Sequence, residues 1–289
     1  FNKIFFLEMV YIKYNKMRKM HVLKLIIMLL LVVSCSEENI IIEENIITPT
    51  TYSFVREGES TVDFSDQVTY ISMAEEFIRA LTVNTNTEES LQGMFNHAGG
   101  DSDFFDSNLN ASELSIRSNV ANSIDYYPDG EEDSEALEIK EQLDSWISEQ
   151  GTGVFPNFNA TAIEGTAGAL VQEIDGTIIY IDSNGVALNE VLNKALIGGL
   201  MADQILNNFL SSRTLDNDAN VRDNDEGVLV DGKNYTAMEH SWDEAYGYLY
   251  GAELDPSSPS YGIDGLGADS FLNKHLIKIN GQDEFMGIA

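Results

Sequence analysis

A mainly α-helical fold is predicted, built as one or more antiparallel helical bundles with a single short β-hairpin near residues 170–182. Three observations predict it. Apolar residues recur at helical spacing over 65–82, 133–149, 186–210 and 235–252. Only Leu170–Asp182 reads as strand, β-branched with the turn pair Asp175-Gly176 between two short runs. Segments rich in Gly, Pro, Asp and Asn punctuate the rest.

In chain order, Tyr52–Val55 is a short strand or extended segment. Ser65-Asp66 caps a helix whose Val68, Ile71, Met73, Ala74, Phe77, Ile78 and Leu81 share a face, ending near Thr82. Thr87 caps a short helix that runs through Phe95. A Gly/Asp loop spans Gly99–Asp106, and Ala111–Asp125 is helical by pattern. The break at Tyr126-Tyr-Pro-Asp-Gly leads to a helix over Asp133–Glu149, with Leu137, Leu143, Trp146 and Ile147 on one side. After the hairpin comes the longest helix, Val186–Leu210. Its apolar residues cover most of its circumference, which predicts a central, buried position. Leu215–Gly227 is an acidic loop before the helix Tyr235–Ala252. Asp255–Gly267 is a long loop, Asp269 opens a further helix, and Glu284 stands in the first turn of one more. Missing C-terminal helices are therefore expected beyond Ala289.

The charge is lopsided. The chain carries 48 acids against 16 bases, for a net charge of −32. Residues 1–34 hold six of the bases and one acid, so the remainder has 10 bases against 47 acids. Such a surface repels nucleic acid and anionic headgroups and is compatible with cations or basic partners. The single cysteine, Cys35, excludes an internal disulfide and a cysteine-based zinc or iron–sulfur site. Met17–Lys24 is basic, and Leu25–Val33 is apolar over nine residues. That run is too short to span a bilayer, which needs about 20 residues, but it suits a secretory signal peptide. Its end, Leu31-Val-Val-Ser-Cys35, resembles the bacterial lipobox, which implies lipid on Cys35 and removal of residues 1–34. Ser36-Glu37-Glu38 resembles the surface-export signal of Bacteroidetes lipoproteins. The expected organisation is upstream sequence and signal peptide over 1–34, an acidic tether over 35–51, and a helical domain over 52–289.

Chemistry-bearing residues concentrate in Tyr235–Ala252. At about 100° per residue, Met238, Trp242, Ala245, Tyr246 and Leu249 share one side. Thr236, Glu239, His240, Asp243, Glu244 and Gly247 share the other. His240 meets Glu244 at i,i+4 and Asp243 at i,i+3, a spacing that can share a metal ion or a proton. A solvated charged face and a buried polar cluster are the other readings. Gly247 and Gly251 predict close approach of another element. On the longest helix Asp203 projects with Leu192, Leu196, Leu206 and Leu210, so it needs a partner. Either it joins a hydrogen-bond network with neighbouring Asn residues such as Asn207, or it faces His240 or a cation. Asp216-x-Asp218-x-Asn220 opens like a calcium loop. The glycine that pattern expects is Val221, and its twelfth position is Gly227, so the choice is a looser calcium site or a solvated loop. Phosphate-loop, dinucleotide, serine-hydrolase and His-Glu-x-x-His motifs are absent from the sequence.

Three stretches together resemble an uncharacterised domain family of Bacteroidetes surface lipoproteins, itself distantly similar to imelysin-like proteins. They are Tyr52-Ser-Phe before the capped helix, Asn193-Lys-Ala-Leu-Ile-Gly-Gly-Leu-Met-Ala-Asp-Gln-Ile205, and Tyr235-Thr-Ala-Met-Glu-His-Ser-Trp-Asp-Glu-Ala-Tyr-Gly-Tyr248. The resemblance implies two antiparallel bundles on a bacterial envelope and a link to iron uptake. The imelysin-like signature is Gly-x-His-x-x-Glu. Here Met238 replaces the glycine and Asp243 the glutamate, with Glu244 one step on. The expected function is a lipid-anchored outer-membrane protein, exposed at the cell surface. It would bind a divalent metal ion or metal-bearing ligand through His240, Asp243, Glu244 and, in support, Asp203. A metal-dependent hydrolase with Glu244 as base is one alternative. A non-catalytic subunit of an outer-membrane complex, docked on a transporter or surface partner, is the other. No nucleic-acid partner is expected.

Overall fold

Helix α1 (Ser65–Ala80) is the element on which much of the core is laid. Gln67, Tyr70, Ile71, Met73, Ala74 and Phe77 are buried, at the spacing a one-sided helix requires. The computed structural model describes residues 49–259 and 267–279, and a compact unit begins at Thr50. Cys35, the signal segment and the expected helix at Glu284 lie outside the described residues. So does most of the C-terminal half of the 255–267 loop.

The fold is mainly helical. Helix α2 (Glu88–Asn96) starts at Thr87, whose hydroxyl accepts from Ser90 N while Ser90 reciprocates. It lies on α1, and Phe77 stacks on Phe95 with ring centroids 5.7 Å apart. Both rings are fully buried, each contributing about 1.5–3 kcal/mol by removal from water. Short helices α3 (Ser107–Asn110) and α4 (Ile116–Asn119) follow. Helix α5 (Ser134–Glu149) is capped by Asp133 and packs on α2. Helix α6 (Leu188–Leu196) continues through Ile197–Ala202 and Ile205–Phe209 in widened i→i+5 turns. This long helix packs on α1 and α5, and Leu192, Leu196, Leu200 and Met201 are fully buried. Its central position is as expected. Helices α7 (Ser212–Leu215), α8 (Asp218–Asp225), α9 (Ala237–Tyr250) and α10 (Leu272–Ile279) complete the described chain. Helix α9 packs on α1, α8 and the 205–209 turns, and α10 packs on α9. Among the described residues, no helix is long and apolar enough to cross a membrane.

Among the described residues there are two antiparallel two-stranded sheets. β1 (Val55–Arg56) pairs with β2 (Glu59–Ser60). Of Tyr52–Val55, expected as a short strand or extended segment, only Val55 is paired as strand. β3 (Gly168–Val171) pairs with β4 (Ile178–Ile181), the last rung joining Val171 to Ile178. The hairpin is where the sequence places it, but Asp175-Gly176 sits inside a longer loop. There Gln172 N donates to Thr177 O and Gly176 N to Gln172 O, and Gly176 takes φ 75°.

Three expectations are corrected. Ala111–Asp125 is not one helix. Ser115 caps a single turn, Ala121 takes φ 47°, and Ala121 N and Asp125 N donate to Gly199 O and Asn207 O of the long helix. Tertiary hydrogen bonds there replace local ones. Leu215–Gly227 is not a loop, because Asn217 accepts from Ala219 N and Asn220 N and starts α8. On α5 the inward residues are Ala136, Lys140, Leu143 and Ile147, leaving Leu137 exposed.

Candidate functional site

Helix α9 begins with a capping box. Thr236 Oγ1 accepts from Glu239 N, and Glu239 Oε2 accepts from Thr236 N. The Thr236 hydroxyl donates to Asn224 Oδ1 on α8 at 2.7 Å. Thr236→Ala is expected to cost about 1–2 kcal/mol in a urea melt; an unchanged midpoint would show that the cap carries no stability.

The face that α9 buries is the polar one. Ser241, Asp243, Ala245, Gly247, Tyr248 and Tyr250 are buried, while Trp242 is 52% exposed. The expected apolar side with Trp242 is therefore not the buried side. Gly247 explains the inversion: a Cβ there would stand 2.5 Å from Phe64 Cβ and 3.0 Å from Gln67 Cβ. Close approach of α1 is what the sequence anticipates, and it turns the acid-bearing arc inward.

On that arc the predicted residues separate. Asp243 is 3% exposed. Its Oδ1 accepts from the Tyr52 hydroxyl at 2.8 Å and its Oδ2 from Asp63 N at 2.9 Å. Burial raises its carboxyl to about 6, against the lowering effect of those two hydrogen bonds. Glu244 accepts from Gln67 Nε2 at 3.4 Å and lies 3.8 Å from His240 Nε2. Burial raises Glu244 to about 7 and lowers His240 below its ordinary value. Burial thus favours the neutral form of both partners and weakens the ion pair between them. The His240 ring stacks on Tyr235 at 4.3 Å, and Nδ1 is enclosed. Glu239 is taken by Arg56 at 2.7 and 3.0 Å.

Asp203 sits elsewhere. Its Oδ1 accepts from Ser123 Oγ at 2.7 Å and Asn207 Nδ2 at 2.9 Å, while Oδ2 is enclosed without a partner. It lies between the two widened turns of the long helix, in a groove of about 880 Å³ between that helix and α5. Tyr126, Tyr127, Ile139, Trp146 and Leu206 line the walls, and Glu135, Glu138 and Asp203 are its carboxylates. Among the described residues, no basic side chain lines it. Gly198 opens the floor, since a Cβ there would meet nothing within 4 Å. Burial raises the Tyr127 hydroxyl, and the Asp203 charge adds to it. Widened turns of this kind recur at functional sites.

Asp216, Asp218 and Asn220 do not form a shared loop. Asp216 follows α7, Asp218 opens α8, and the Asn220 amide donates to Thr214 O. Among the described residues, no group of three or more His, Cys, Asp or Glu side chains could hold a metal ion. Sequence reasoning reached Asp203 and Asn207 but missed Ser123, Tyr126, Tyr127 and Trp146, which come from distant segments. The unexplained acid on an apolar face was the one signal pointing there.

These features define a mainly helical domain with an apolar, acid-edged groove and a separate, half-buried imidazole–carboxylate pair. The chain belongs to the family described as Domain of unknown function (DUF4856), whose model matches residues 49–289. No curated protein and no solved structure matches it.

Proposed function

We propose that this chain is a surface-anchored, non-catalytic binding lipoprotein that captures an amphiphilic cation in the Asp203 groove. The Cys35 lipobox and Ser36-Glu37-Glu38 support the anchoring part, and the resemblance to Bacteroidetes surface lipoproteins and imelysin-like proteins supports the envelope setting. One observation carries the binding part. A groove of about 880 Å³ has aromatic and aliphatic walls, three carboxylates and, among the described residues, no basic side chain. An apolar body would remove those walls from water. A cationic head would sit in the field of the Glu135, Glu138 and Asp203 carboxylates that line the groove.

The expected capture of a bare divalent ion has less support. His240 and Glu244 lie near each other, but both oxygens of Asp243 accept hydrogen bonds from Tyr52 and Asp63, and Asp203 is bonded to Ser123 and Asn207. Two ligands fall short of the three or four a zinc site needs, and a hydrolase would need the same third donor. A metal-bearing ligand remains within the proposal only as an apolar body with positive charge. The interaction-subunit reading required exposed tyrosines on α9, yet Tyr248 and Tyr250 are buried.

Trp146 lines the groove, so a Trp242→Phe variant reports on it alone. Octylamine is expected to change Trp146 fluorescence saturably, and octanoate is not. Leu206→Arg, at a side chain 64% exposed in the free groove, should weaken octylamine binding at least ~10-fold by filling the groove and adding like charge. Equal responses to amine and carboxylate, or no effect of Leu206→Arg, would end the proposal.

A further inference from the structure

A second cleft lies on the outer side of α9, away from the Asp203 groove. It holds about 360 Å³ and is lined by Tyr52, Phe54, Thr61, Glu239, Trp242 and Asp243. Three of the six are aromatic. Tyr52 and Phe54 meet edge to face at 5.1 Å and 85°, and the Tyr52 ring is also stacked on Tyr246 at 3.6 Å. Trp242 and Phe54 are 52% and 41% exposed, large apolar side chains held at the rim rather than folded into the core. Keeping two aromatic rings in water beside a cleft gives up burial that the fold could otherwise use.

The charge in the cleft is uneven. Arg56 holds Glu239 in a two-pronged pair at 2.7 and 3.0 Å, which cancels that carboxylate. Asp243 is different. Both of its hydrogen bonds come from neutral donors, the Tyr52 hydroxyl and Asp63 N, and it is almost fully buried. An aromatic-walled cleft therefore includes a buried carboxylate, Asp243, with no cation paired to it by hydrogen bond. Because each Asp243 oxygen already accepts a hydrogen bond, a ligand that brings its own N–H donors gains less there. A cation that needs no hydrogen bond gains from the ring faces and the field alone.

We propose that the Tyr52–Phe54–Trp242 cleft binds a quaternary ammonium group over Asp243. The methyl groups would pack against Phe54 and Trp242 while the charge lies above the Asp243 carboxylate. Such a head is carried both by free choline-type compounds and by phosphatidylcholine, and the chemistry read by the cleft is the same in each.

The test is calorimetric titration of the full chain with choline, beside 3,3-dimethylbutan-1-ol, its neutral isostere. Choline is expected to bind, and the isostere to bind about 10-fold more weakly or worse. A Trp146→Phe variant should show the response in Trp242 fluorescence. Trp242→Ala, at a position 52% exposed, should weaken choline at least ~10-fold, with circular dichroism checking the fold. Asp243→Asn should do the same, with circular dichroism checking that the Tyr52 and Asp63 bonds still hold the segment. Co-sedimentation with phosphatidylcholine vesicles, compared between the wild-type chain and Trp242→Ala, separates the sources. A Trp242-dependent fraction supports the lipid headgroup, and choline binding without it supports the free compound. No choline binding, or equal binding of choline and its isostere, overturns the proposal. Trp242→Phe leaves the Asp203 groove intact, so failure here and failure there are read separately.

Discussion

Gly247→Val is expected to cost about 3 kcal/mol, although removing glycine from a helix interior normally stabilises it by about 1 kcal/mol. The sign reverses because α9 and α1 touch at that point. A Cβ at 247 would lie 2.5 Å from Phe64 Cβ and 3.0 Å from Gln67 Cβ, and Gln67 is itself buried. Neither neighbour is the far end of a flexible side chain. The helices must separate, and interior packing recovers little of the lost contact. The separation would also stretch the Gln67–Glu244 hydrogen bond and the bond from Asp63 N to Asp243. Gly198→Ala is the control, since a Cβ there meets nothing within 4 Å. It is expected to be neutral or stabilising by up to about 1 kcal/mol. Urea midpoints of the two variants check this; a valine at 247 as stable as glycine would show that the close approach carries no energy.

Glu244→Gln should raise stability at pH 8 by about 1–2 kcal/mol and leave it unchanged at pH 4. Burial holds the Glu244 carboxyl at about 7, against 4.5 in an open chain. The folded protein thus binds this proton more tightly than the unfolded chain does. Its stabilising contribution is complete below 4.5 and is lost as pH rises through 7. Asp243, raised by burial from 3.8 to about 6, acts in the same direction at lower pH. Glu239 and Asp63, both lowered, act oppositely: their contribution is present at neutral pH and is lost as pH falls through their folded values. A full conversion of the Glu244 shift would give roughly 3 kcal/mol, and partial exposure of the side chain reduces it. The glutamine also supplies a donor. Gln67 Oε1 is enclosed without a partner, and an amide flip presents it to an N–H at position 244. Melts at pH 4, 6 and 8 check the window; a gain that is constant across pH would assign it to packing instead.

The helices at 65–80, 134–149, 188–209 and 237–250 were readable because each repeats its apolar residues every three or four positions, and local periodicity is a property of sequence. The cap at Thr87 is readable for the same reason, since a capping side chain serves backbone within three residues, whereas the helix at 65–80 starts at Phe64 with no side-chain cap from Ser65 or Asp66. Ala111–Asp125 failed because its backbone bonds run to Gly199 and Asn207, more than seventy residues away. The 215–227 stretch failed in the other direction. Its acids were read as loop-forming, and the single cap at Asn217 outweighed them.

The same division holds for the sites. The sequence by itself determined that Asp203 is an acid on an apolar helix face, that Gly247 admits a close neighbour, and that His240 and Glu244 lie one turn apart. Each follows from spacing along one helix. Only the tertiary structure decided which neighbours arrive. It brought Ser123 and the Tyr126–Tyr127 pair to Asp203, Tyr52 and Asp63 to Asp243, and Gln67 to Glu244. It also turned Trp242 outward, because a side-chain-free position at Gly247 let α1 claim the opposite face. Periodicity fixes which residues share a side of a helix, but packing between helices selects which side is buried.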